Sequence, residues 1–275
     1  MDKIKKLFTA LHVLLRHPRN SLSMIIDNEE SAQKRAQIYV SKHYRMSEGF
    51  PEIDLLDLFP NFSETVFPYS YLSDTSMTID IALLKAMARR YSPCSYLEIG
   101  TLRGESIANV AAVADDCTAL SLSEEEMRAC RFNERFVTIY KFFSKDIPHI
   151  THIGHDSQTY DFTELHKTFD LIFIDGDHRR EAIKNDTAHA FRLLKNDASA
   201  IIWHDFGLTT ERIRWATVAG ILDGCPPEYR DNLYHVSNTK CALFIKGDFN
   251  SEFVVFPDIP DKIFTVHISG KKIST

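Results

Sequence analysis

Apolar positions along this chain follow two alternating rhythms. Short runs without polar alternation cover Ser95 to Ile99, Cys117 to Leu122, Ile150 to Gly154, Asp170 to Ile174 and Ala198 to Trp203. Runs of this kind mark strands buried on both faces. Between them lie segments with helical spacing: Gly104 to Ala114, the charged stretch Glu124 to Glu134, and Arg180 to Leu194. Thr78 to Tyr91 precedes the first strand as a further helix, with Ile79, Ile81, Leu83, Leu84 and Met87 apolar and Arg89 and Arg90 in its last turn. The alternation predicts a parallel sheet covered by helices on both faces.

Past Trp203 the rhythm changes. Glu211 to Leu222 predicts an amphipathic helix ending at Asp223-Gly224. Leu233 to Val236 and Cys241 to Lys246 predict two strands joined by Ser237-Asn238-Thr239-Lys240, a turn composition, so an antiparallel pair is expected to close the sheet. The expected fold is therefore α/β: a Rossmann-like, doubly wound, mostly parallel seven-stranded sheet with an antiparallel last strand pair. Phe253 to Phe256 and Ile263 to Ile268 predict a C-terminal hairpin around Pro257 and Pro260. At the other end, Ile4, Leu7, Phe8, Leu11, Leu14 and Leu15 give Met1 to Pro18 the pattern of a short amphipathic helix. Arg19 to Asp74 reads as a small helical cap with long loops. Three parts follow: residues 1–74, the helix and cap; 75–247, the sheet domain; and 248–275, an extension.

Composition narrows the function. With 32 Lys and Arg against 38 Asp and Glu, the 275-residue chain carries a net charge of −6, which argues against a phosphate-backbone binder. Its five cysteines form no C-x-x-C pair, so neither a disulfide framework nor a zinc knuckle is suggested, and a reducing cytoplasmic location fits. The longest apolar candidate, Leu7 to Leu15, is broken by Thr9 and His12 and is far too short to cross a bilayer. Residues 1–18 pack on the protein or a sister subunit in one reading, and make weak peripheral membrane contact in the other.

In an open parallel sheet, ligands bind beyond the carboxyl ends of the strands, where strand order reverses. The first such loop reads Leu97-Glu98-Ile99-Gly100-Thr101-Leu102-Arg103-Gly104. A dinucleotide site would want a second glycine where Leu102 stands, and an acid such as Glu98 suits a cationic amino group better than a phosphate. The pattern fits the methionine part of S-adenosylmethionine. After the fourth strand comes Asp175-Gly176-Asp177-His178, and after the fifth His204-Asp205. Adjacent strands lie about 4.8 Å apart, so the two loops can converge on one hard cation such as Mg²⁺. Lone copies of Asp177 or His178 read as helix-capping residues, but two clusters at successive strand ends read as a site.

These residues, Tyr96 to Ser106 with Phe173 to His178 and Trp203-His204-Asp205, resemble the class I S-adenosylmethionine-dependent methyltransferases. The similarity is greatest to the branch of metal-dependent catechol-type and macrolide-sugar O-methyltransferases, and runs from about Thr75 to Lys246. It implies that Glu98, Gly100, Thr101 and Gly104 hold the methionine moiety, with Asp175 beside them. The ribose-gripping acid of the family maps to Ser123 and its neighbour Glu124, and the adenine-reading acid to Asp156, followed by Ser157. Mg²⁺ ligands map to Asp175 and Asp205, with His204 a softer third. The base maps to His178, with Asp177 next to it. The acceptor would be a hydroxylated small molecule or a glycan, with no nucleic acid partner and a homo-oligomer open. A cephalosporin-hydroxylase-like enzyme on the same fold and a non-catalytic scaffold are the rival readings.

Overall fold

A computed structural model of the chain describes residues 29–273. The helix expected over Met1 to Pro18 lies outside the described residues. The cap contributes α1 (Glu29–Tyr44), β1 (Glu52–Ile53) and the short α2 (Leu55–Leu58), which Asp54 caps by accepting from the Leu56 backbone N–H at 2.6 Å. Then follow α3 (Thr78–Ala88), β2 (Ser95–Ile99), α4 (Glu105–Ala111), β3 (Asp116–Ser121), α5 (Glu124–Ala129), α6 (Glu134–Ile139) and β4 (Ile150–Gly154). The chain continues through β5 (Leu171–Ile174), α7 (Arg180–Arg192), β6 (Ala200–Trp203), β7 (Gly207–Thr209), β8 (Arg212–Ile213), α8 (Trp215–Gly224), β9 (Leu233–Val236) and β10 (Ala242–Phe244).

The sheet runs β1-β9-β10-β6-β5-β2-β3-β4. Only β10 is antiparallel to its neighbours β6 and β9. From β2 the chain winds outward through β3 and β4, then returns to β5 and winds the other way through β6. Strand order therefore reverses between β2 and β5, and the crevice beyond their carboxyl ends is the expected ligand position. Register makes the strand ends level: Ile99 pairs with Ile174, and Ile174 with Trp203.

Alternate residues of each strand feed two cores. Tyr96, Phe173 and Ile202 pack under α3 and α4 with Leu83, Leu84, Met87, Ile107 and Val110. Leu97, Ile99, Ile172, Ile174 and Trp203 pack on the opposite face under α7 and α8 with Ile183, Phe191, Val218 and Ile221. The indole N–H of fully buried Trp203 donates to Thr187 Oγ1 at 2.9 Å, so no polar atom of the ring is stranded. Outside α8, α1 is held by Asp223, which accepts from Tyr39 and Tyr44 hydroxyls at 2.9 and 2.6 Å and pairs with Arg180. No helix among the described residues is long and apolar enough to cross a membrane.

Four expectations change in detail. The sheet has eight strands because β1, from the cap, pairs in parallel with β9. The charged stretch Glu124 to Glu134 is not one helix: the chain turns through Arg131 at φ 63°, and Asn133 caps a new helix by accepting from Phe136 N–H at 2.9 Å. Helix α8 starts at Trp215, later than expected, because Gly207 to Ile213 forms the small antiparallel pair β7 and β8. The expected hairpin of Phe253 to Phe256 with Ile263 to Ile268 does not form; this segment has no strand, and Val255, Ile259 and Ile263 are exposed. Just before it, Glu252 bridges antiparallel to Glu52.

Candidate active site

The turn after β2 is built around Glu98. This carboxylate is fully buried and receives three hydroxyls: Tyr96 at 2.9 Å, Thr101 at 2.8 Å and Ser106 at 2.9 Å. Burial pushes its pKa up to about 7, against the lowering effect of those donors. Glu98 therefore ties strand, turn and the first turn of α4 together. Gly100 has φ 95°, and a Cβ there would lie 2.3 Å from the Asp175 carbonyl, so only glycine lets the β2 and β5 loops approach this closely. At Gly104, φ is 78° and a Cβ would strike Ser144.

The β5 and β6 loops converge as expected. Asp175 follows Ile174, and His204 and Asp205 follow Trp203, so three donor atoms of Asp175, His204 and Asp205 lie within 4.8 Å of one another. His204 is buried between carboxylates: Nδ1 is 3.1 Å from Asp175 Oδ1 and Nε2 is 3.0 Å from Asp80 Oδ2. Burial disfavours the charged ring, but Asp175 and Asp80 outweigh it and hold its pKa well above the usual histidine value. Asp205 sits at φ 52°, a strained position for a non-glycine residue, and its carbonyl is fixed by the Thr217 hydroxyl at 2.9 Å. Burial raises the Asp205 pKa, yet His204, Lys240 and His178 together hold it below the ordinary carboxylate range. Half-exposed His178 places Nε2 3.3 Å from Asp205 Oδ2.

Three members of this cluster escaped the sequence reading. Asp80, in the first turn of α3, is fully buried and accepts from the backbone N–H groups of Met77 and Lys240, each at 3.0 Å. Lys240 reaches Asp205 Oδ1 with its ammonium at 2.7 Å, an ion pair that falls short of hydrogen-bond alignment. Ser76 donates to Asp175 Oδ2 at 3.2 Å and so brings the end of the cap segment onto the site. The same strap is pinned to α4, where Glu105 accepts from Ser70 N–H at 2.6 Å and Thr75 Oγ1 at 3.0 Å.

The remaining expected residues lie elsewhere along the sheet edge. Ser123 caps α5 and exchanges hydrogen bonds with Glu126. Glu124 points to solvent with Arg128 at 3.2 Å. Glu126, which the sequence reading passed over, also accepts from the Asp156 N–H at 3.2 Å and so links the β3 and β4 loops. Asp156 accepts from Gln158 N–H at 3.0 Å, while the Gln158 side chain donates to Ser157 Oγ and to Asp186 Oδ1. Asp186 Oδ2 is buried with no hydrogen-bond partner, beside Gly176. Asp177 does not join the cluster; it receives the Arg179 N–H at 2.8 Å and Nε at 2.7 Å at the start of α7.

Residues 97–206, from the strand that carries Glu98 to the residue after Asp205, match a family model described as a methyltransferase domain. This stretch of the chain is similar to a methyltransferase domain. The match agrees with the methyltransferase expected from the motifs, and it falls on the mostly parallel sheet expected for one. No curated protein matches the chain in sequence. Among solved structures, it is similar to cofactor-bound Rv0187 from MTB, at 19% identity and TM-score 0.44 over 62% of this chain and 81% of that one. It is also similar to an O-methyltransferase from Bacillus cereus in complex with SAH, at 15% identity and TM-score 0.44 over 80% and 100% of the two chains. A third is the O-methyltransferase TomG from Streptomyces achromogenes in complex with SAM, at 14% identity and TM-score 0.42 over 63% and 82%.

The sheet edge in the matched stretch has room for a sulfonium nucleoside along one coherent line. The Gly100 turn, the half-buried ends Leu122-Ser123 and Asp156-Ser157, and Gly176 beside the unpartnered Asp186 oxygen all lie at the carboxyl ends of β2 to β5. A divalent cation fits less well. Every carboxylate oxygen of Asp175 and Asp205 already faces a side chain: Ser76 and His204 at Asp175, His178 and Lys240 at Asp205. Both nitrogens of His204 face carboxylates, and a doubly protonated ring has no lone pair for a metal.

Proposed function

We propose that this protein is an S-adenosylmethionine-dependent O-methyltransferase acting on a hydroxyl of a small molecule or glycan. The observation that supports it most is the His178–Asp205 pair, 3.3 Å apart at the sheet edge of a methyltransferase domain. S-adenosylmethionine, when bound, supplies a methyl group made electrophilic by the sulfonium. The protein must then remove one proton from a poorly nucleophilic hydroxyl.

His178 is built for that step. With Nε2 beside Asp205 Oδ2, the ring leaves Nδ1 to take the acceptor proton, and the Asp205 charge stabilises the imidazolium that results. The half-exposed ring then returns the proton to water. Asp205 cannot rotate freely, because its carbonyl is bound by Thr217 and its strained backbone is fixed at the end of β6. The strap from Ser70 to Ser76 lies over α4 and touches Asp175, where it would close the acceptor side against water. In this reading Glu98, Gly100, Thr101 and Gly104 shape the methionine end of the pocket, and Asp156 and Ser157 its adenine end. Glu98 acts through the hydroxyls it orients.

Two measurements test the proposal. Calorimetry should show S-adenosylhomocysteine binding at micromolar strength, and labelled methyl should pass from S-adenosylmethionine to a member of a panel of phenols, polyols and sugars. His178→Ala should leave S-adenosylhomocysteine binding within about twofold and lower kcat by about 10²–10⁴, the range for loss of a positioned base. Absence of S-adenosylhomocysteine binding by the folded wild type would sink the reading.

A further inference from the structure

We infer that Lys240 is the built-in cation of the acceptor site, standing where the sequence pattern calls for a divalent metal. The inference rests on the methyltransferase reading and deepens it. Three carboxylates, of Asp80, Asp175 and Asp205, gather around the ends of β5 and β6. Buried Asp205 Oδ1 accepts no aligned hydrogen bond; what faces it is the Lys240 ammonium at 2.7 Å and the His204 ring at 3.6 Å. A carboxylate oxygen held in this way is neutralised by a point charge, as it would be by a metal ion.

Lys240 is no loose surface lysine. Its backbone N–H donates to fully buried Asp80 at 3.0 Å, and its carbonyl accepts from Gly207 N–H at 3.3 Å. The antiparallel register, Ala242 opposite Trp203, sets Lys240 level with Asp205 two residues further along the ladder. Asp80, whose other oxygen faces His204, therefore fixes both cationic neighbours of the Asp175–Asp205 pair. Once the ammonium is in place, a divalent ion bridging Asp175 and Asp205 would lie against a like charge. Lys240 acts as a positioning residue: it keeps Asp205 ionised and aimed at His178 without a metal.

The test is a manganese titration of the full-length protein, read by the loss of the free Mn²⁺ paramagnetic resonance signal. Wild type and Lys240→Arg should show no stoichiometric site up to millimolar Mn²⁺. Lys240→Met should gain one site at least tenfold tighter, abolished by adding Asp205→Asn; Lys240→Gln serves if the methionine variant does not fold. A wild-type site of micromolar strength that Asp205→Asn removes would overturn the inference, as would a Lys240→Met protein as blind to Mn²⁺ as wild type. S-adenosylhomocysteine binding, measured on the same samples, separates the two readings: its absence in wild type defeats the methyltransferase proposal, while the manganese result alone judges Lys240.

Discussion

Replacing Glu98 by Gln gives a stability change whose size and sign follow from the geometry. Glu98 is fully buried and its hydrogen-bond partners are neutral hydroxyls, so burial outweighs them and lifts its pKa from 4.5 to about 7. In the unfolded chain it titrates near 4.5, which means that the folded protein holds the proton more tightly. The stabilisation from the protonated form is complete below pH 4.5, declines as pH rises, and is gone above about 7. That interval is equivalent to about 3 kcal/mol at 1.36 kcal/mol per pKa unit. Glutamine is isosteric and cannot ionise; its oxygen accepts from Thr101 and Ser106, and its amide donates to the Tyr96 hydroxyl. Relative to wild type, Glu98→Gln should therefore gain about 3 kcal/mol between pH 4.5 and pH 8, measured by urea unfolding at half-unit intervals. At about 2–4 °C per kcal/mol for a chain of this size, the melting temperatures should separate by roughly 6–12 °C over the same range. A difference between variant and wild type that stays flat with pH, or that grows as pH falls, would refute the reasoning.

Other perturbations test other links. Gly100→Ala should cost more than about 2 kcal/mol in urea unfolding and abolish S-adenosylhomocysteine binding, since its Cβ would lie 2.3 Å from the Asp175 carbonyl at a left-handed φ. Thr187→Val strands the buried Trp203 indole N–H and should lower stability by about 1–3 kcal/mol with methyl transfer intact, checked by unfolding and turnover of one sample. Asp223→Ala removes the acceptor shared by Tyr39, Tyr44 and Arg180, so limited proteolysis should cut within residues 29–50 of the variant several-fold faster than in wild type.

Much of this protein was written in contiguous stretches of its sequence. The apolar runs at Ser95 to Ile99 and Leu233 to Val236 became strands with those bounds, because a strand buried on both faces needs a near-continuous apolar run; Ile150 to Gly154 also kept its bounds, as the half-exposed edge strand. The motifs around Glu98, Asp175 and His204 were legible for a related reason: each sits at or directly after the end of a buried strand, and parallel register then makes their loops level. Local competition was harder to read. Asn133 restarts a helix inside a charged stretch, and the apolar pattern of Phe253 to Ile268 found no strand to pair with.

Only the tertiary structure decided which charges meet. Asp80 and Lys240 stand 160 positions apart, in a helix and a turn whose compositions advertise no chemistry, yet they touch each other and both flank the Asp175–Asp205 pair. The antiparallel register of β10 against β6 determines this, and a slip of one residue would turn Lys240 to the other face of the sheet. Sequence fixes a side chain's chemistry and its period along an element; the charge that neutralises it is chosen by the register between elements far apart in the chain.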